Sequence, residues 1–189
     1  MALAKDDPER DALEALARGD VARTLTVLMQ AYGDDLFRHC RGMVGTDDLA
    51  NEVHQQVFIQ AFRDLGTFAR RSTFRTWLYA IARHRCLDAL KLLRRWRRRF
   101  LLAPRLPDLG DPAPRPDEDL AARAEAHRLE RALAALKPKV RAAVLLRFQE
   151  GMSFEEMAEI SHEAAGTLQA RVARALPLLR RALEEDRHG

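Results

Sequence analysis

Only two cysteines, Cys40 and Cys86, occur in 189 residues, and they form no CxxC pair. A disulfide scaffold is excluded, and two buried reduced thiols are the simplest expectation. His39 stands beside Cys40, and His84 lies near Cys86 and Asp88. Adjacent ligands point apart on a helix, and no second pair is spaced to complete a site, so neither a metal nor a cofactor is expected. No run approaches the ~20 apolar residues that span a bilayer, so no membrane insertion is expected. The opening MALAKDDPER has no apolar segment of secretory type, and the expected location is the cytoplasm. Alternating strand patterns and Asn-Gly hairpin signals are missing, which leaves an all-α fold. GxGxxG, GxxxxGK[ST], HExxH and GxSxG are missing as well. With no catalytic residues to name, an enzyme is not expected. Asp47 and Asp48, or Glu155, Glu156 and Glu159, read as solvated charge or as partners of helix N-termini.

What is present is helical periodicity. Val21, Leu25, Leu28, Met29 and Tyr32 follow the i, i+4, i+7, i+8 template, and Leu36, Cys40, Met43 and Val44 extend it past Gly33. Thr46, Asp47 and Asp48 can cap the next helix, which places Leu49, Val53, Val57, Phe58, Ala61, Phe62 and Leu65 inward and stops at Gly66. Ser72 or Thr73 opens another. The stretch PRLPDLGDPAPRPDED, from Pro104, holds five of the eight prolines and no apolar period, so it reads as a flexible linker. Two small helical domains are expected, 10–100 and 123–187, joined by a linker over 101–122.

In the second domain Leu129, Leu133 and Leu136 share a face, Pro138 breaks the helix, and Val140, Val144, Leu145 and Phe148 build the next. Gly151 ends a helix. Ser153 and Glu156 have capping-box spacing ahead of Met157 and Ile160. A longer helix from about Ala164 turns Leu168, Val172, Ala175 and Leu179 inward. A short capped helix, a tight turn and a longer helix outline either a helix-turn-helix or an ordinary helical hairpin.

Charge is strongly local. Residues 68–99 carry eleven basic side chains against the single acid Asp88, a net +10, while the rest of the chain carries −6 within an overall +4. Phe74, Trp77 and Tyr79 lie in the same stretch. A gathered positive field beside aromatic rings is what an anionic polymer partner requires.

The segments DDLANEVHQQVFIQAF, FARRSTFRTWLYAIARHRCLDALK and LKPKVRAAVLLRFQEGMSFEEMAEIS, in this order and with AAGTLQARVARAL after them, resemble a bacterial sigma factor of the extracytoplasmic function type, in the sigma-70 family. The likeness covers roughly residues 20–100 and 125–183. It implies partners: core RNA polymerase, through its β′ clamp and β flap, promoter DNA, and an anti-sigma factor that masks the chain. It implies polymerase docking through Glu52, Gln55, Gln56 and Phe58, with Gln56 standing where the family has a second acid. It implies that Arg70, Arg71, Ser72 and Thr73 in a loop, and Arg75, Tyr79, Arg83, Arg85 and Lys91 on the basic helix, melt and hold the −10 element. Capture of a single strand needs such a positive groove with faces for unstacked bases. Trp77 and Leu78 are expected to pack inside, and Tyr79 to be exposed.

The resemblance also implies a −35 reader built from Thr167, Gln169, Ala170, Arg171 and Arg174. Here the sequence departs from the family. The usual Leu-Gly-Ile-Ser turn is Ser161-His162-Glu163-Ala164, and a positive φ suits His162 less well than glycine. Gln169 and Ala170 replace a lysine and a serine, and Pro177 is expected to interrupt the helix. Residues 125–187 carry only +1. An alternative therefore stands beside the leading expectation: a sigma-like regulatory adaptor whose C-terminal domain mainly makes protein contacts. A free-standing helix-turn-helix repressor would be a dimer, and the chain shows no coiled-coil seam.

Overall fold

A computed structural model describes residues 7–100 and 120–185, in which every regular element is helical. Eight α-helices follow in order: α1 (Pro8–Ala17), α2 (Val21–Val44), α3 (Asp47–Asp64), α4 (Phe74–Phe100), α5 (Leu120–Ala135), α6 (Pro138–Phe148), α7 (Phe154–Ser161) and α8 (Ala165–Glu185), with a 3₁₀ turn at Leu65–Thr67. Residues 101–119 of the expected linker lie outside the described residues.

Local chemistry sets the helix ends. Asp20 accepts a hydrogen bond from the Arg23 amide at 2.9 Å and starts α2, and Gly45, at φ +92°, ends it in the left-handed region. Thr46 starts α3 without a side-chain bond, and Asp47 and Asp48 place negative charge on its first turn instead. Ser153 and Glu156 form the full reciprocal box: the Glu156 amide donates to Ser153 Oγ at 3.1 Å, and the Ser153 amide donates to Glu156 Oε2 at 2.7 Å. Pro138 opens α6 at its first turn, where a missing N–H costs nothing. Pro177 does not end α8: the helix runs through it to Glu185, with Leu168, Val172, Ala175 and Leu179 buried on both sides of the proline. The packed face holds the helix together despite the lost i→i−4 bond.

The two helical domains pack against each other. One apolar cluster begins with Leu28, Leu36, Met43, Val57, Phe74 and Leu78 and continues into Leu146, Met152, Met157 and Leu168 of the C-terminal helices. A smaller cluster, Ala132, Leu136, Val144, Ala175 and Leu179, belongs to the C-terminal set alone. Arg141 ties the two sets together. Its guanidinium donates to the Leu133 carbonyl at 2.8 Å and to those of Ala134 and Met43 at 2.5 Å, satisfying the final turns of α5 and α2 at once. Phe62, expected inward, and Phe148, counted in the periodicity of α6, are 54% and 59% exposed. Each lies at the edge of its helix's apolar stripe, where periodicity counts it but no neighbour covers it.

Candidate nucleic-acid interface

The basic helix α4 is fixed at its start by a residue far away in the chain. Glu9 of α1 accepts hydrogen bonds from the Phe74 amide at 2.9 Å, from the Arg75 amide at 3.0 Å and from the Tyr32 hydroxyl at 2.9 Å. A carboxylate thus sits where the helix dipole is positive and two amides lack partners. Thr73 Oγ1 takes the Thr76 amide at 3.0 Å. Behind this cap, Phe68 stacks on Phe74 at 4.3 Å and tilts against Trp77 at 5.2 Å. Leu78 is buried and Trp77 half-buried, as expected.

The nine residues expected to hold an opened strand do not form one surface. Arg70, Arg71 and Thr73 are exposed in the loop and Ser72 is half-buried there; Arg70 has φ +54°. Arg75, Tyr79 and Arg83, spaced by four, lie along the side of α4 that meets the C-terminal helices. Arg75 donates to the main-chain oxygen of Glu150 at 2.5 Å and lies over the Tyr79 ring at 5.5 Å. Tyr79 is 1% exposed, which corrects the expectation for it: its hydroxyl donates to the Glu150 carboxylate. Burial, then that hydrogen bond, pushes the phenol far above its ordinary value, so it stays protonated. Arg83 reaches Glu163 Oε1 at 3.5 Å.

Arg85 and Lys91 face the other way. Arg85 donates to Gln60 on α3, and both cations line a groove of about 490 Å³ between α3 and α4. Glu52 and Gln56 stand on the same groove, floored by Leu49, Val53 and Leu92. Glu52, Gln55 and Gln56 are exposed. Phe58 is 6% exposed and meets the His54 ring edge-on at 5.1 Å, so it supports α3 from inside and offers no outer contact.

In the helix-turn-helix, α7 ends at His162, whose φ of +55° puts a non-glycine residue in the left-handed region. Thr167, Gln169, Ala170 and Arg174 are exposed on α8. Arg174 turns its Nε back to the Ala170 carbonyl at 3.0 Å. Arg171 is engaged by both guanidinium ends with Glu163, one of them at 3.0 Å. That pairing raises the arginine further and holds the Glu163 carboxyl below its ordinary range.

Periodicity could not have found four of these residues. Glu9, His39, Glu150 and Glu163 act through partners distant in the chain. His39 is wholly buried, neither ring nitrogen has a hydrogen-bond partner, and its Nδ1 stands 3.5 Å from Glu150 Oε1. The only local signal was Glu163, an acid where an apolar residue was expected.

Comparison with known proteins places these observations. Sigma-70 region 2 matches residues 28–98, and Sigma-70, region 4 matches residues 126–179. The ECF RNA polymerase sigma factor SigC of Mycobacterium tuberculosis is 32% identical over 187 residues, 98% of this chain and 97% of its own length. The ECF RNA polymerase sigma factor SigX of Bacillus subtilis is 28% identical over 163 residues, 85% of this chain and 84% of its own. Among solved structures, CnrH in complex with the cytosolic domain of CnrY gives a TM-score of 0.71 at 23% identity, covering 95% of this chain and 99% of that one. The sigma factor RpoE in complex with the anti-sigma factor NepR from Bartonella quintana gives 0.64 at 23%, covering 82% and 94%. These two likenesses concern the fold.

Proposed function

The chain belongs to the sigma-70 family, among RNA polymerase sigma factors of the extracytoplasmic function type, and on that premise we propose how its residues divide the work. It is an alternative sigma factor that binds core RNA polymerase and directs promoter-specific initiation from the cytoplasm. It recruits and positions; no covalent step is its own. Residues 10–100 bind the polymerase clamp and open the −10 element, 101–122 link, and 123–187 engage the flap and the −35 element. Glu52, Gln55 and Gln56 make the outer contact to the clamp, with Phe58 stiffening α3 behind them. Arg70, Arg71, Ser72 and Thr73 receive the displaced strand at the capped start of α4, and Arg75 and Arg83 continue the track, with Tyr79 packed behind them. Arg85 and Lys91 serve the α3–α4 groove more directly than the strand. Thr167, Gln169, Ala170, Arg171 and Arg174 face the −35 duplex, where glutamine suits adenine and arginine guanine. An anti-sigma factor holds the chain inactive until it is needed.

The observation that carries this reading is the net +10 over residues 68–99, gathered on a helix whose N-terminus is capped by Glu9 and on the exposed arginine loop before it. Transcript-start mapping with purified protein and core polymerase tests it. Specific starts at a defined promoter are expected, and random starts would refute it. The occupied Arg171 and the +1 charge of the C-terminal set favour a second reading, a regulatory adaptor. Core binding without promoter opening would select it.

A further inference from the structure

The loop assigned above to the displaced strand is anchored at both ends. At its start Phe68 stacks on Phe74 at 4.3 Å. At its end all four amides that open α4 have partners. Thr73 Oγ1 accepts from the Thr76 amide at 3.0 Å, and the Thr73 carbonyl accepts from that of Trp77 at 3.0 Å. The other two amides, of Phe74 and Arg75, both donate to Glu9. Between the anchors Arg70 keeps φ +54°, a conformation that a non-glycine residue holds where its surroundings impose it.

Glu9 is itself fixed, although it lies outside the segment 28–98 that matches Sigma-70 region 2. Its own amide donates to Asp7 Oδ1 at 3.2 Å at the head of α1. Ala12 and Ala15, three and six residues further on, are buried, so α1 cannot turn the carboxylate away. The Tyr32 hydroxyl donates to Glu9 Oε1 at 2.9 Å; burial and then that hydrogen bond raise the phenol, so it stays a donor. The carboxylate stands where a helix would otherwise offer bare amides to a phosphate. A strand at the head of α4 must therefore be gripped by loop side chains.

We propose that Glu9 is a positioning residue for strand capture: it reaches from α1 to preset the Arg70–Thr73 loop and does not touch DNA itself. The proposal rests on the strand-capture role given to that loop above and adds the residue that prepares it. A loop whose arginines and hydroxyls already stand in place loses less freedom on meeting an unstacked strand than one that the strand must order. Intact duplex is held largely through its phosphates by charge, so its binding depends far less on the loop's geometry.

Wild-type, Glu9→Ala, Glu9→Asp, Glu9→Gln and Tyr32→Phe chains are each assembled with core polymerase, on a promoter whose start has been mapped with the wild type. Binding is measured to the intact duplex and to a fork that leaves the non-template strand of the −10 element single. Glu9→Ala should weaken fork binding by about five- to tenfold, the scale of one misplaced base contact, and duplex binding by less than about twofold. Glu9→Asp keeps the charge but draws it back by one methylene. It should show the same fork defect in smaller measure, and it carries the test if the alanine chain does not fold. Glu9→Gln keeps an oxygen acceptor and should bind both probes within about twofold of wild type. Tyr32→Phe takes one bond from the carboxylate but leaves both amides capped, so it should lose thermal stability and keep wild-type fork binding. Equal losses on fork and duplex in Glu9→Ala and Glu9→Asp, or an equal fork defect in Tyr32→Phe, would reduce Glu9 to a structural role and overturn the proposal. Tighter fork binding by Glu9→Ala would overturn it too, because the carboxylate would then only screen the amides from phosphate. Absence of specific starts with the wild type would defeat the sigma reading itself, and this inference with it.

Discussion

Glu9 and Phe74 lie 65 residues apart in the chain, yet the Glu9 carboxylate accepts the Phe74 amide at 2.9 Å and so caps the basic helix from another element. The same carboxylate holds the Arg75 amide and the Tyr32 hydroxyl. Replacing Glu9 with alanine removes all three bonds and the charge at the helix N-terminus. A cap is worth about 1 kcal/mol and a tertiary hydrogen bond about as much again, so Glu9→Ala should destabilise the fold by about 2 kcal/mol. Urea unfolding followed by circular dichroism measures this. Glu9→Gln, which keeps an acceptor, should lose less than half of it. Equal losses would mean that charge alone, without directed bonds, holds the start of α4.

His162 sets up a test in the opposite direction. A non-glycine residue in the left-handed region costs roughly 1–2 kcal/mol, and glycine gives back part of that advantage through its freer unfolded chain. His162→Gly should therefore stabilise the protein by about 0.5–1 kcal/mol, and His162→Val should destabilise it by about 1–2 kcal/mol because β-branching opposes positive φ. The urea midpoint reads both. If glycine fails to raise it, the turn between α7 and α8 does not hold the positive φ described.

The acid side of the stability curve should report on Glu150. Burial works to raise its pKa, but the His39 ring and the Tyr79 hydroxyl outweigh it and leave the carboxyl below its ordinary 4.5. A depressed carboxylate adds stability above its unfolded value, and that stability fades as pH falls through the folded one. Wild-type protein should thus exceed Glu150→Gln in unfolding midpoint at pH 7 and at pH 5, with the gap closing below about pH 4.5. The groups that face this carboxylate are His39 from α2, Arg75 and Tyr79 from α4, and neighbouring Gln149. The Glu163 carboxyl is held below its ordinary value as well, chiefly by Arg171, so the diagnostic quantity is the difference between the two proteins at each pH. A pH-independent gap would show that the carboxylate's charge contributes nothing to stability.

The helices were legible because their signals are local. The run Val21 to Val44 repeats at helical spacing, Ser153 and Glu156 sit at capping distance, and the gathered arginines of 68–99 can be counted. Pro177 was misread because sequence alone weighs one lost hydrogen bond without the burial of Ala175 and Leu179 on either side of it. Tyr79 was misread for a related reason. Its spacing from Arg75 and Arg83 is helical and its hydroxyl suits an exposed site, but what covers it is Glu150, 71 residues away. No periodicity connects those two. The division of the basic set into an exposed loop, an occupied face and a groove beside α3 is likewise a property of packing, and so are the roles of His39, Glu163 and Arg141.

Promoter binding by the holoenzyme should depend steeply on salt, and the exposed loop should carry a measurable share of that dependence. Neutralising about five phosphates on duplex DNA predicts a log–log slope near −4 to −5. Core polymerase brings phosphate contacts of its own, so the total slope is not diagnostic of this chain. The change on substitution is. Arg70 and Arg71 are both exposed, and among the described residues neither is paired with an acid. Each alanine substitution should flatten the slope by about 1 and weaken binding similarly across promoter sequences. Arg83→Ala and Arg171→Ala should behave differently. Both are paired with Glu163, which competes with phosphate for them, so their effect on the slope should be smaller than that of the loop arginines. Filter binding of holoenzyme to a labelled promoter between 50 and 200 mM KCl yields all of these slopes. If Arg70→Ala and Arg71→Ala leave the slope untouched, the loop does not meet the DNA backbone, and the strand-capture role at the head of α4 fails with it.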